Sequence, residues 1–244
     1  MNTLKQKGRS YFDERGARGR VLSYTASESK SKTKGKYAFY FLLSLVFANA
    51  LIWYFVFGYT NRGFLTIAVL DIGQGDSIFI ESPEGKQIII DGGPNGKILQ
   101  ELGKLMPFYD RSIDMLVVTN PDKDHFGGFL DILNSYEVGS VMEPGTHSPS
   151  NAYAELEKTI RTKKVPEIVA RRGMKVFLDD DVHLDILFPD QDVSNWKTND
   201  GSIVSRLVYG STSVMLTGDA PEKIEKFLVS LDGKDLAAQV LKVG

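Results

Sequence analysis

The stretch that decides the reading is Thr119-Asn120-Pro121-Asp122-Lys123-Asp124-His125-Phe126-Gly127-Gly128. Just before it, Met115 to Thr119 is apolar and β-branched, the pattern of a short buried strand. That strand runs directly into a turn holding two carboxylates and an imidazole, and a Gly pair and a helical pattern over Phe129 to Tyr136 follow. Carboxylate and imidazole together are suitable ligands for Zn²⁺, Mn²⁺ or Fe²⁺. A purely structural role is the competing reading: Asp122 caps the turn, Asp124 caps the helix by accepting backbone N–H bonds, and His125 packs.

Working outward, three more acidic turns lie at strand ends. Asp71-Ile72-Gly73-Gln74-Gly75-Asp76-Ser77 joins a strand at Phe64 to Leu70 to one at Ser77 to Ile80. Asp91-Gly92-Gly93 ends Gln87 to Ile90, and Thr217-Gly218-Asp219 ends Ser213 to Thr217. Taken singly, each is a turn in which Gly supplies positive φ and Asp accepts local backbone bonds. Gly73-Gln74-Gly75 is too short for a dinucleotide fingerprint, and no helix follows it. Further strands are expected at Val138 to Met142, Glu167 to Ala170, Lys175 to Leu178, His183 to Phe188, Ile203 to Tyr209 and Ala238 to Val243. Helices are expected at Lys97 to Leu105, Ala152 to Thr162 and Pro221 to Ser230. Many strands with interspersed helices define an α/β or α+β layered fold.

The ordered set DIGQGDS, IIIDGG, TNPDKDHFGG, NDGSIVSRLVYGSTSVMLTGD and QVLKVG resembles the metallo-β-lactamase-fold domain, in the branch found in the DNA-internalisation competence protein ComEC. The resemblance covers residues 64–244 and implies a four-layer αββα sandwich with a metal site at one edge between two sheets. It also implies hydrolase activity, with a nuclease or phosphodiesterase role for the competence branch. Carried over residue by residue, Asp122, Asp124 and His125 occupy the central metal motif and Asp219 the place of a bridging carboxylate. Asp124 and Asp219 would also orient the attacking water. Asp91 falls at a buried strand-end aspartate that would support the ligands by hydrogen bonding, and Asp71 and Asp76 belong to the first motif. The implied cofactor is one or two divalent ions, Zn²⁺ first and Mn²⁺ as the alternative. Two departures stand out. The family's motif commonly begins with His where this chain has Asn120, a poorer ligand for Zn²⁺. Relatives also continue after a strand like LKVG into His-His-Gly, so the chain is expected to be C-terminally incomplete.

The three histidines divide unevenly. His147, in a polar loop, is a weak candidate for the site, whereas His183 alternates with Leu184, Ile186 and Phe188 and should face away from the core. Asp179-Asp180-Asp181 reads as a solvated hairpin turn.

Ahead of the domain, Tyr37 to Tyr59 carries no charged residue. About 20 apolar residues cross a hydrocarbon core, and the Tyr and Trp residues near the ends of the run suit the membrane interface. A transmembrane helix over 37–59 is expected rather than a cleaved signal, because the leader is long and the only small-x-small site lies inside the apolar run. Residues 1–36 carry ten Lys and Arg against three acidic residues, +7, while the remainder carries 19 against 28, −9. Retention of positive charge in the cytoplasm makes 1–36 a cytoplasmic tail, disordered by composition and suited to anionic lipid, and turns the domain outward.

Composition excludes several classes. At 42% hydrophobic and 25% charged residues the chain is globular, and with no cysteine it has neither disulfides nor a thiolate site. A nucleic-acid enzyme usually shows a basic track, and here only Lys163, Lys164, Arg171, Arg172 and Lys175 cluster. Bound divalent ions would offset part of the deficit. Three functions follow: a membrane-anchored metal-dependent phosphodiesterase or nuclease, acting on DNA beside a separate uptake channel; a metal-poor binding module on the same fold; or an enzyme of small organophosphates or lactones. The sequence does not specify an oligomeric state.

Overall fold

The computed structural model describes residues 31–58 and 63–243. The chain divides into two units, Met1–Thr60 and Asn61–Gly244. In the first, helix α1 runs Ser31–Gly58. Its stretch Gly35–Tyr54 has a mean hydropathy of 1.6 and no buried residue, so it is long and apolar enough to cross a membrane. Of the expected tail, residues 1–30 lie outside the described residues, and 31–36 open α1. Of the expected span, Tyr59 lies outside them.

The second unit is a pair of sheets between helices. Strands β1 (Thr66–Val69), β2 (Ile78–Glu81), β3 (Gln87–Ile90), β4 (Ser112–Ile113), β5 (Met115–Val117), β6 (Glu137–Val138), β7 (Val141–Glu143) and β8 (Glu167–Val169) come first in the chain. Strands β9 (Lys175–Phe177), β10 (Val182–Phe188), β11 (Val204–Tyr209), β12 (Thr212–Leu216) and β13 (Val240–Lys242) follow. One sheet has the order β1-β2-β3-β5-β7-β8 and the other β13-β12-β11-β10-β9; β4 and β6 pair with each other alone. β3, β5, β7 and β8 are parallel, and β1-β2-β3 and β9 to β12 are antiparallel.

The period-2 alternation of side chains sorts the apolar residues into layers. Ile78, Ile80, Ile88, Ile90, Met115 and Val117 point between the sheets and meet Leu184, Ile186, Leu207, Val214 and Leu216. Phe79, Ile89 and Leu116 point the other way. They pack under α2 (Lys97–Leu105), α3 (Lys123–Phe126), α4 (Phe129–Ser135) and α5 (Asn151–Lys163), which supply Ile98, Leu102, Phe126, Phe129, Ile132, Tyr153, Leu156 and Ile160. On the outer face of the second sheet, α6 (Glu222–Asp232) buries Ile224 and Leu228 against Val204, Met215 and Phe188. The result is the expected αββα sandwich.

Two details depart from the sequence pattern. Val138 to Met142 is two strands, β6 and β7, broken at Gly139-Ser140. In β10, Phe188 does not join Leu184 and Ile186 between the sheets, because a register shift between Ile186 and Phe188 turns it to the outer face under α6. His183 does lie on the outward side of its strand, beside Lys175 and Asp185. The Asp179 turn is more than a solvated hairpin: its carboxylate accepts the Ser82 hydroxyl at 2.9 Å and the Glu84 N–H at 3.0 Å, tying the β9–β10 hairpin to the β2–β3 hairpin.

Candidate functional site

The acidic turns converge at one end of the sandwich. At the end of β3, Asp91 takes a left-handed backbone conformation, φ 59°, which is uncommon for a residue with a side chain and is tolerated best by Asp and Asn. This buried carboxylate accepts the Thr119 N–H at 2.8 Å and the Thr119 hydroxyl at 2.6 Å. Thr119 comes from the segment following β5, which pairs in parallel with β3. A polar residue closing the apolar run Met-Leu-Val-Val-Thr was the sequence signal for this partner.

His125 in α3 completes the unit. Its Nδ1 lies 2.9 Å from Asp91 Oδ2, and its Nε2 lies 3.1 Å from Asp219 Oδ2. Burial acts to lower the His125 pKa, and the hydrogen bonds with Asp219 and Asp91 outweigh it, pushing it up to about 10. The His125 contact holds Asp219 below the ordinary carboxylate value, against partial burial. Burial pushes the Asp91 carboxyl up, opposed by His125 and Thr119. The imidazole is thus clamped between a buried carboxylate and a more accessible one.

Asp76 stands in the same group: single ligand atoms of Asp76, Asp91 and His125 all lie within 4.8 Å of one another. Its carboxylate also pairs with Lys242 of β13, a residue the sequence reading passed over although it is a lone cation in an apolar strand. Asp76 is fixed by its neighbours as well, since its carbonyl accepts the Gly93 N–H at 3.0 Å. Gly75, at φ +81°, lies flat against the Asp124 backbone, and an added Cβ there would run into the Asp124 carbonyl. Asp124 therefore sits beside the Gly75-Asp76 turn, and among the described residues its half-buried carboxylate has no hydrogen bond or ion pair.

The remaining expected residues take other places. Asn120 is fully buried, and both ends of its amide are used: Oδ1 accepts the Asp122 N–H at 3.0 Å, and Nδ2 donates to Asn199 Oδ1 at 2.7 Å. It braces the turn. Asp122 occupies the N-cap position of α3 without a side-chain cap bond, and its carboxylate accepts the Thr198 hydroxyl at 3.0 Å. Neither Asp122 nor Asp124 therefore acts as the helix cap of the structural reading. Asp71 is solvent-exposed and pairs with Lys97 at 3.3 Å, outside the group. His147 is exposed, 4.0 Å from Glu157 of α5, and does not join the cluster.

The donor set fits a divalent cation. With Asp91 accepting from Nδ1–H, His125 is left with the Nε2 lone pair for an ion, the carboxylate–histidine arrangement of metal sites. The Asp219 carboxylate lies within reach of the same ion. Among the described residues the hydroxyl of Ser77, next to Asp76, is buried with no partner, as are those of Thr146 and Ser202, and such groups are usually satisfied by water or a ligand.

The metallo-β-lactamase superfamily profile matches residues 70–241, and the chain belongs to that superfamily. Among curated proteins it is similar to "ComE operon protein 3" of Bacillus subtilis (strain 168), 27% identical over 195 residues. It is also similar to "Recombination protein 2" of Haemophilus influenzae, 31% identical over 183 residues. Each match covers 73% of this chain, and the chain spans only 25% and 21% of the two relatives' lengths. Among solved structures, the Rm3 metallo-beta-lactamase is 15% identical, with 75% of this chain and 76% of that chain covered and a TM-score of 0.47.

Proposed function

We propose that this protein is a membrane-anchored, divalent-metal-dependent hydrolase of phosphodiesters, with DNA as the substrate class suggested by its resemblance to the ComEC branch. The observation that carries the reading is the Asp91–His125–Asp219 chain, in which a buried carboxylate fixes one imidazole nitrogen and leaves the other facing an accessible carboxylate. His125 Nε2, Asp219, Asp124 and Asp76 would hold the ion, and Asp91 would orient the imidazole. A bound ion of this kind lowers the pKa of water toward neutrality and stabilises charge on phosphoryl oxygens. Asp219 and Asp124 would then orient the attacking water, while Lys242, paired with Asp76, places positive charge at the site edge where an anionic substrate approaches. One imidazole among several carboxylates suits Mn²⁺ as well as Zn²⁺.

The apolar α1 would anchor the chain, and the excess of Lys and Arg before it supports a cytoplasmic tail and an outward-facing domain. A separate protein would conduct any transported strand. The second reading, a metal-poor binding module, is favoured by Asn120, whose amide is consumed in bracing bonds and offers no ligand.

The test uses the full chain in detergent micelles, with metal content measured after equilibration in Mn²⁺ or Zn²⁺ and hydrolysis followed on a fluorescent single-stranded oligonucleotide. Stoichiometric metal, metal-dependent cleavage and loss of both in Asp219→Asn are expected. Cleavage without metal, or retained in Asp219→Asn, overturns the reading, and oligonucleotide binding without metal or cleavage moves the assignment to the binding module. Topology is read separately, because the chain has no native cysteine. Asn151→Cys should react with a membrane-impermeant maleimide on intact cells, and Ser10→Cys should not.

A further inference from the structure

A cavity of about 570 Å³ lies between the β10 end, the following loop and α6. Its apolar part is aromatic. The ring centroids of Phe188 and Trp196 are 6.2 Å apart with the rings tilted by 39°, and those of Phe188 and Phe227 are 6.3 Å apart, edge to face. Its polar part is unspent. Among the described residues Gln191 forms no side-chain hydrogen bond and the Trp196 indole N–H has no partner, while Asn195 makes only a 3.5 Å contact with the neighbouring Ser194. Asp200 is neutralised by Lys223; among the described residues Asp190 and Lys197 in the wall form no ion pair, and Asp190 acts on Arg172 only at longer range.

The same loop is tied to the turn that leads into Asp124 and His125. Thr198 donates to Asp122, Asn199 accepts from Asn120, and Ile203 N–H donates to the Thr119 carbonyl at 2.9 Å. Trp196 precedes Asn199 by three residues, so at 3.3–3.6 Å per residue the two lie within about 10 Å along the chain.

We infer that this cavity is a nucleobase subsite, which receives an unpaired base of a single-stranded substrate whose backbone passes the metal cluster. The inference rests on the phosphodiesterase reading and specifies its substrate. Trp196 and the exposed Phe227, backed by the buried Phe188, supply a stacking surface, which every base can use. Gln191 and Asn195 offer donors and acceptors to a base edge, and the Asp190 carboxylate accepts from an exocyclic amino group. Lys197, at the rim, faces the backbone phosphate. A base held in a duplex cannot enter, so the subsite selects single strands.

The experiment measures binding to the full chain in detergent micelles with EDTA, using a fluorescein-labelled ten-nucleotide single strand and an abasic strand of the same length and charge. The base-bearing strand should bind about tenfold more tightly, from the usual effect of stacking one base. Trp196→Ala and Phe227→Ala should remove that advantage while leaving the affinity for the abasic strand unchanged. Equal affinity of the two strands for the native protein overturns the inference. As a check that does not depend on removing a packed ring, Trp53→Phe leaves Trp196 as the sole tryptophan, and dAMP should quench its emission; absence of quenching also overturns the inference. The two readings fail differently. Base-dependent binding without metal-dependent cleavage leaves the subsite and removes the hydrolase, whereas equal cleavage and binding of both strands leaves the hydrolase and removes the subsite.

Discussion

Replacing Asp91 by Asn isolates what the buried carboxylate does for the imidazole. The exchange keeps size, and Asn tolerates the left-handed backbone as well as Asp does, so the φ of 59° adds no new cost. One amide oxygen can still accept the Thr119 N–H at 2.8 Å. The other position, where Oδ2 accepted from the Thr119 hydroxyl at 2.6 Å and from His125 Nδ1 at 2.9 Å, becomes an NH₂ donor. Two bonds to a charged acceptor are lost. At roughly 1.5–3 kcal/mol each, less the desolvation cost that burial already imposes on the charge, the net loss is about 3 kcal/mol. For a domain of this size that corresponds to a fall in Tm of about 6–12 °C.

The functional effect is separate and larger. Facing a donor, His125 must place its proton on Nε2 and its lone pair on Nδ1, so the nitrogen that faces Asp219 no longer has a lone pair for an ion. Metal affinity should fall about 10–100-fold, the usual range for partners that orient a ligand. Competition with a chromogenic chelator reads the affinity, and differential scanning fluorimetry reads the fold. An Asp91→Asn protein that melts lower yet binds Mn²⁺ or Zn²⁺ with native affinity would refute the reasoning, because the imidazole tautomer would not matter.

Three further outcomes follow from the same geometry. Gly75→Ala should destabilise by about 1–3 kcal/mol through backbone strain and impair metal binding, because its Cβ meets the Asp124 carbonyl. Gly73→Ala, at φ +90° with open space around it, should show the strain alone; equal effects in thermal melts and metal titrations would count against the Gly75–Asp124 contact as a determinant. A proton competes with the ion for His125 Nε2. With the His125 pKa raised from 6.5 to about 10, the metal-free protein gains stability that is complete below pH 6.5 and lost as pH rises through 10. Chemical denaturation without metal should show this alkaline loss, which His125→Gln should flatten, and metal affinity should rise over the same range. Burial acts to raise the Asp185 pKa, and hydrogen bonds from Lys175 and Arg206 outweigh it and hold it below the ordinary value. Its stabilisation is therefore present above about pH 4 and lost as pH falls through the folded value. Asp185→Asn should cost about 1 kcal/mol at neutral pH and show a shallower acid limb; an unchanged acid limb would exclude this ion pair as its source.

Elements with strong local patterns were legible before the structure. The bounds of β3 and α2 coincide with the apolar runs that announced them, and the order of acidic turns named the superfamily. Short elements were not legible. β4 and β6 hold two residues each and pair only with each other, and α3 is a single turn, so none of them reaches a period that a pattern can display. The site shows the same division. Asp91, His125 and Asp219 carried a signal in their motifs, whereas the closeness of Asp76 to Asp91 arises from the register of the β2–β3 hairpin, and that of Lys242 to Asp76 from the packing of one sheet against the other. The bracing roles of Asn120 and Asp122 were not legible, because they depend on Thr198 and Asn199, which lie in the connection between β10 and β11 and meet the turn after β5 only across the two sheets. Phe188 obeyed the alternation of its strand on paper, and the register shift in β10 gave it to α6.

The cluster draws on both sheets: Asp76 and Asp91 belong to the first, and Asp219 follows β12 of the second. The full set of donors is therefore present only when the two sheets have met. On the proposed reading, an ion held by both sheets would favour the closed sandwich by about 2.7 kcal/mol at a hundredfold excess of ion over Kd. It would act as a latch between the two halves, and metal occupancy would report that they have closed on one another.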